Sequence, residues 1–306
     1  MDPVPQRRSP RPDYSAAAEP LASGAVHPPA ALAPLTPASF LLDGRIALVT
    51  GAAAGIGRAC AVALARFGAD IAACDRDADG LAALAAEVES IGRRCLVDVL
   101  DVRDGDQVRA HTNGVAARFG RVDVLVNNAG GGFAAAFLDV NDKGQDALVR
   151  ENFTSVTQFV RAAVPLMTGP HGGSIITMTS IEAHRAAPAF AIYAAMKAAL
   201  ESLSRSLALE LGERFIRVNC IAMDVVPTPG LGRDDFGERT PLPMTAHADD
   251  VAAACIYLAS DASRFVTGST IHVDGGNLAA AGWIRRADGS FGTGVEPAAS
   301  EDEGEG

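Results

Sequence analysis

Between residues 46 and 273 the chain alternates short apolar runs with longer stretches in which apolar positions recur at helical spacing. The short runs predict strands at Ile46–Thr50, Ile71–Cys74, Cys95–Val99, Val124–Asn127, Ser174–Met178, Val218–Ile221 and Thr270–Val273. Helices are predicted between them, near 56–67, 78–91, 105–119, 143–167, 192–212 and 249–259. Seven strands separated by helices imply a parallel sheet covered on both faces. The predicted fold class is therefore α/β: a doubly wound, parallel seven-stranded sheet in a single domain. Ligands of such sheets bind beyond the carboxyl ends of the strands, so chemistry is expected just after each strand.

Outside this core the pattern stops. Residues 1–40 hold nine prolines and nine alanines, a density that defeats helix and ladder, so a disordered arm is expected there. It lacks the uninterrupted apolar region of a secretory signal. The catalytic domain is expected over 41–283. Residues 284–306, Gly-rich and ending Glu-Asp-Glu-Gly-Glu-Gly, read as a solvated acidic tail.

Composition narrows the function. At 306 residues and 48% hydrophobic, the chain can bury a substantial core. A net charge of −11 argues against a nucleic-acid partner, which needs a basic face. No run of 18 apolar residues suggests a membrane span. Cys60, Cys74, Cys95, Cys220 and Cys255 are scattered without CxxC, as expected of reduced structural thiols in a cytoplasmic protein. The six histidines show no metal spacing, so no metal is expected.

Two features follow the first two strands. Thr50-Gly51-Ala52-Ala53-Ala54-Gly55-Ile56-Gly57 is a glycine-rich turn opening an Ala-rich helix. Such a turn lets backbone approach a pyrophosphate, whose charge the helix N-terminus stabilises, although a purely structural turn has the same letters. Asp75 follows the second strand. A carboxylate there can accept both ribose hydroxyls and repel a 2′-phosphate, favouring NAD over NADP. Arg76, a good phosphate ligand, keeps NADP open, and a helix N-cap is the bland alternative for Asp75.

Further motifs occur in a recognisable order: Asn127-Asn128-Ala129-Gly130, Asn152, Ser180, Tyr193-Ala-Ala-Met-Lys197 and Val273-Asp274-Gly275-Gly276. Together with the TGxxxGIG turn, the set from about Leu42 to Asn277 resembles the short-chain dehydrogenase/reductase family. The resemblance implies a Rossmann-type fold, a nicotinamide cofactor and hydride transfer between NAD(H) and a secondary alcohol or ketone. It places Gly51, Gly55, Ile56, Gly57, Asp75, Asp101, Val102, Asn127, Tyr193, Lys197, Val226 and Thr228 against the cofactor. Asp101 and Val102 would border the adenine, Asn127 the adenosine, and Val226 and Thr228 the carboxamide. It makes Asn152, Ser180, Tyr193 and Lys197 catalytic, Asn152 by holding a water that links Lys197 to bulk solvent. It also implies a homo-oligomer, dimer or tetramer. One departure stands out: Met223-Asp224 replaces the family's Pro-Gly after the sixth strand, stiffening that loop and adding a charge.

The chemistry gives these letters a reason. A free tyrosine has a pKa near 10 and is a poor base at neutral pH. Lowering it by about three units needs roughly 4 kcal/mol of differential stabilisation. Lys197 leaves the same helical face as Tyr193, and an ammonium about 4 Å away supplies energy of that order. Ser180 can hold the substrate oxygen. Singly, these residues are more often a packing aromatic, a snorkelling lysine and a turn serine. Pro229–Arg239 occupies the family's lid position, and its shortness suggests a bulky, cyclic or steroid-like alcohol as the small-molecule substrate. Glu182, His184 and Arg185 border the pocket or form a solvated loop, and Trp283 packs on its own core or on a neighbouring subunit. The alternatives are an NADPH-dependent ketone or 3-oxoacyl reductase of the same family, and a non-catalytic NAD-binding sensor or scaffold.

Overall fold

The computed structural model describes residues 34–228, 240–286 and 289–292. Seven strands form one parallel sheet: β1 (Ile46–Thr50), β2 (Asp70–Asp75), β3 (Cys95–Val99), β4 (Val124–Asn127), β5 (Gly173–Ser180), β6 (Ile216–Met223) and β7 (Thr270–Val273). Their order is β3-β2-β1-β4-β5-β6-β7 with every neighbouring pair parallel. The chain reverses its direction across the sheet between β1 and β4, opening a crevice at their carboxyl ends. This is the doubly wound arrangement that the apolar runs imply.

Helices cover both faces. They are α1 (Gly55–Arg66), α2 (Ala78–Ser90), α3 (Gly105–Phe119), α4 (Asp142–Val149), α5 (Ser155–Ala163), α6 (Ala191–Glu210), α7 (Ala248–Ala259) and the single-turn α8 (Asn277–Ala280). Alternate side chains of β1 enter opposite cores. Ala47 and Val49 pack with Leu64, Leu84 and Leu258 on one side, Ile46 and Leu48 with Val115, Phe159 and Leu200 on the other. Local signals set the helix ends. Asp77 caps α2 by accepting the Gly80 N–H. Asp104 caps α3, which stops at Gly120 in the left-handed region (φ 82°).

The stretch 143–167, expected as one helix, is divided. A π-helical turn at Arg150–Thr154 separates α4 from α5, and a 3-10 turn follows at Val164–Leu166. Asn152 and Ser155 both spend side-chain donors on carbonyls four residues back, Leu148 and Glu151, which opens the ladder there.

The flanks also differ from expectation. Pro37–Phe40 forms a 3-10 turn inside the expected arm, and Phe40 packs on the core. Two-residue strands β8 (Ile284–Arg285) and β9 (Phe291–Gly292) pair antiparallel within the expected tail. Residues 1–33, the lid Pro229–Arg239 and the acidic terminus lie outside the described residues. Among those described, no helix is long and apolar enough to cross a membrane. No group of three or more His, Cys, Asp or Glu among them could hold a metal.

Candidate active site

Beyond β1 the chain turns through Gly51 and Gly55, both at positive φ (66° and 56°), which glycine adopts without strain. Gly57 meets a different need: a Cβ there would lie 2.0 Å from the Gly51 carbonyl oxygen. Asn128 locks this turn from the end of β4, its Nδ2 donating to the carbonyls of Thr50 and Gly51 at 3.0 and 2.9 Å. The motif containing Asn128 is visible in the sequence, but the partner is not, because it comes from a strand 77 residues away. Gly51, Ala54, Gly55 and Ile56 line a cleft of about 980 Å³. Ala54, the N-cap of α1, offers no side-chain cap, so the first-turn N–H groups suit an anionic pyrophosphate.

Asp75 and Arg76 line the same cleft. The Asp75 carboxylate accepts the N–H groups of Ala53, Arg76 and Asp77 at 3.0, 2.6 and 3.2 Å. It is not the N-cap of α2, a role that Asp77 takes. A carboxylate has about four acceptor positions, so one remains for a ribose hydroxyl. Arg76 lies 3.8 Å from the Glu151 carboxylate. Leu100 and Val102 contribute an apolar wall. Asp101 is not among the lining residues: the Arg103 guanidinium grips its carboxylate and holds it below the usual carboxylate range. Asn127 also stays off the wall, yet both polar atoms of its buried amide lack a protein partner, next to lining residue Asn128. An unsatisfied buried amide costs free energy unless a ligand or water meets it, so this position fits a polar group of a bound nucleotide. The glycine turn, Asp75 and Asn127 thus suit a dinucleotide.

The residues expected to react meet at the same cleft. β5 delivers Ser180, whose Oγ accepts the Glu182 N–H at 3.2 Å and hydrogen-bonds the Tyr193 phenol. Ser180 is therefore a turn cap and an active-site hydroxyl at once. α6 carries Tyr193 and Lys197 one turn apart, both lining the cleft. The Lys197 Nζ donates to the Met178 carbonyl at 3.1 Å and sits 5.4 Å from the Tyr193 ring centroid. Burial pushes Lys197 down to about 8. Burial also raises Tyr193, the Glu182 carboxylate adds to this, and only the Ser180 hydrogen bond opposes it. The expected lowering of the phenol by Lys197 is thus not produced by the chain's own groups. Desolvation is the largest influence on both side chains.

Asn152, fully buried in the π-helical turn, does not reach the cleft wall. Its amide donates from Nδ2 to the carbonyls of Gly131 and Leu148 and accepts the Gly131 N–H. Val226 and Thr228 line the cleft as expected, and Thr228 crowds Gly55, where a Cβ would lie 3.0 Å from its methyl. Asp224 also lines the cleft, with its Oδ2 accepting from the Asn277 Nδ2 at 2.6 Å. Glu182 and Arg185 pair at 2.9 Å on the rim. His184 turns away from it, to the buried Glu201 at 2.9 Å. Trp283 is half exposed.

Comparison with known proteins agrees with this geometry. A family model described as enoyl-(acyl carrier protein) reductase matches residues 51–277. The 3-oxoacyl-(acyl-carrier-protein) reductase FabG of Thermotoga maritima is 35% identical over 241 residues, covering 77% of this chain and 98% of that relative. The D-threitol dehydrogenase of Mycolicibacterium smegmatis is 38% identical over 244 residues, covering 78% and 94%. The crystal structure of carveol dehydrogenase from Mycobacterium avium in complex with NAD superposes with a TM-score of 0.73 at 31% identity, covering 78% of this chain and 99% of that one.

Proposed function

Because the chain belongs to the short-chain dehydrogenase/reductase family, oxidoreductases acting on alcohols and ketones with a nicotinamide cofactor, we propose that it is an NAD-dependent dehydrogenase run by Ser180, Tyr193 and Lys197. The observation that carries the reading is the convergence of Ser180, Tyr193 and Lys197 on the cleft that also holds the glycine turn and Asp75. Bound nicotinamide supplies the hydride acceptor in oxidation and the donor in reduction. Ser180 Oγ holds the carbinol oxygen. As phenolate, favoured by the positive charges of Lys197 and of the oxidised nicotinamide when bound, Tyr193 Oη would take the hydroxyl proton during oxidation, and as phenol it would return a proton to the oxygen during reduction. Lys197 places positive charge one helical turn away, and Asn152 positions the Gly131 backbone opposite them.

NAD is favoured over NADP by Asp75, whose charge repels a 2′-phosphate, while Arg76 is drawn toward Glu151. The reductive alternative, an NADPH-dependent 3-oxoacyl reductase, has the T. maritima relative on its side. Assembly as a dimer or tetramer fits the exposed Trp283, Phe265 and Leu209. A cytoplasmic setting fits five unpaired cysteines, two of which, Cys95 and Cys220, burial pushes up to about 11. A panel of secondary alcohols with NAD, read by absorbance of the reduced cofactor, tests the central reading. Turnover by the wild type, lost in Tyr193→Phe while NAD still binds, is the expected result. Full activity in that variant would remove the phenol from the chemistry.

A further inference from the structure

The cleft around Ser180 and Tyr193 has charged walls that proton transfer does not use. Glu182, Arg185 and Asp224 all line it. Both Glu182 oxygens accept from Arg185, at 2.9 and 3.3 Å. Asp274, whose negative charge also acts on Arg185, spends its oxygens on the N–H groups of Gly276 and Leu278. Asp224 differs. Its Oδ2 is held by Asn277, and its Oδ1 has no partner among the described residues. A carboxylate anchored through one oxygen, with the other unpaired among the described residues, therefore lines the same cleft as Ser180 and Tyr193.

We propose that Asp224 is a specificity-determining residue that accepts a hydrogen bond from a second hydroxyl next to the reacting carbinol, so that the substrate class is a neutral vicinal diol, as in a polyol or sugar. This deepens the dehydrogenase reading and rests on it. A monohydric apolar alcohol would strip water from Oδ1 and return no donor, and sites built for a hydroxyl reject the analogue lacking it strongly. An anionic substrate would face the lining carboxylates Glu182 and Asp224, while the Arg185 guanidinium beside them is already paired to Glu182. The Glu182–Arg185 pair is internally neutral and borders the same space, offering both a donor and acceptors to further hydroxyls.

The test compares kcat/KM for butane-2,3-diol, butan-2-ol, cyclohexanol, 3-hydroxybutyrate and 3-aminobutan-2-ol in wild type, Asp224→Ala and Asp224→Asn, with NAD binding measured in each. The wild type should prefer the diol over butan-2-ol by about tenfold or more. In Asp224→Ala that ratio should fall toward one. Asp224→Asn, which keeps the side-chain volume, should gain on 3-hydroxybutyrate relative to wild type. A diol-to-monool ratio unchanged in both variants would overturn the proposal. So would a wild type that favours butan-2-ol, cyclohexanol, the hydroxy acid or the amino alcohol. If alcohols are oxidised without diol preference, only this assignment falls. If the wild type oxidises no alcohol at all, the dehydrogenase reading falls with it.

Discussion

Asn152 and Gly131 hold each other at two points: Nδ2 donates to the Gly131 carbonyl at 2.8 Å, and Oδ1 accepts the Gly131 N–H at 3.2 Å. The clamp joins the π-helical turn to the loop after β4, and that loop is packed tightly against the reacting groups. A Cβ on Gly130 would lie 2.8 Å from Asn152 Oδ1 and 3.3 Å from Lys197 Nζ, and one on Gly132 would lie 3.1 Å from the Tyr193 ring. The spacing of Tyr193 and Lys197 from this loop therefore depends on an amide that never touches the cleft.

Replacing Asn152 by Ala leaves the N–H and carbonyl of Gly131 without this partner in a partly buried place. A loss of about 1–3 kcal/mol is expected. Because the loop then loses its anchor above Tyr193, kcat should fall more than the affinity for NAD. Denaturant unfolding and steady-state kinetics check both effects. A variant as stable and as active as the wild type would show that the clamp positions nothing.

Lys197 gives a pH signature. Burial holds it at about 8, below its ordinary 10.5. Between those values the unfolded chain binds more protons than the folded one, so this group's contribution to stability rises with pH. Its penalty is full below 8 and gone above 10.5. Lys197→Met removes the penalty at low pH but also the hydrogen bond to Met178. Relative to wild type, the variant should therefore lose ground as pH rises from 7.5 to 10, by up to about 3 kcal/mol. Urea unfolding at several pH values measures the gap. A constant gap would mean that Lys197 stays charged throughout.

The proposed preference for NAD rests on Asp75. With its carboxylate fixed by three backbone N–H groups, it cannot swing aside to admit a 2′-phosphate. NAD should bind at least about tenfold more tightly than NADP, a difference of about 1.4 kcal/mol. Asp75→Ser should shrink that preference, since Arg76 then faces the phosphate without a repelling neighbour. Calorimetric titration with both cofactors decides. An equal preference in wild type and variant would move the discrimination elsewhere.

The limits of sequence reading follow the range of the interactions. The strands are legible because burial on both faces writes a continuous apolar run, as in Ile46–Thr50 or Val124–Asn127. The glycine turn is legible because Gly51 and Gly55 answer a local backbone requirement. The break at Arg150–Thr154 is not, since the spacing of Asn152 and Ser155 does not tell whether their side chains turn back onto the carbonyls of Leu148 and Glu151. The lowered pKa of Lys197 and the raised one of Tyr193 come from burial, which no spacing encodes. The β8–β9 hairpin is too short to write a period-two pattern.

The role of Glu201 is illegible in the sequence for the same reason. This residue lies one turn beyond Lys197 on α6, nearly excluded from water, and its Oε1 accepts the Thr179 hydroxyl at 3.0 Å and lies 2.9 Å from the His184 Nε2. Thr179 precedes Ser180, and His184 closes the turn that Ser180 caps. Glu201 thus fastens the helix bearing Tyr193 to the segment bearing its hydroxyl partner. Glu201→Ala takes the closer acceptor from the buried Thr179 hydroxyl, leaving it the longer contact to the Ile221 carbonyl at 3.4 Å, and removes the carboxylate beside His184, at a cost of about 1–3 kcal/mol. Turnover should fall along with stability, because Ser180 and Tyr193 lose their common anchor. Glu201→Gln keeps an acceptor oxygen in place and should recover most of both. If Gln behaves like Ala, the negative charge rather than the hydrogen-bond geometry is what holds the two segments together.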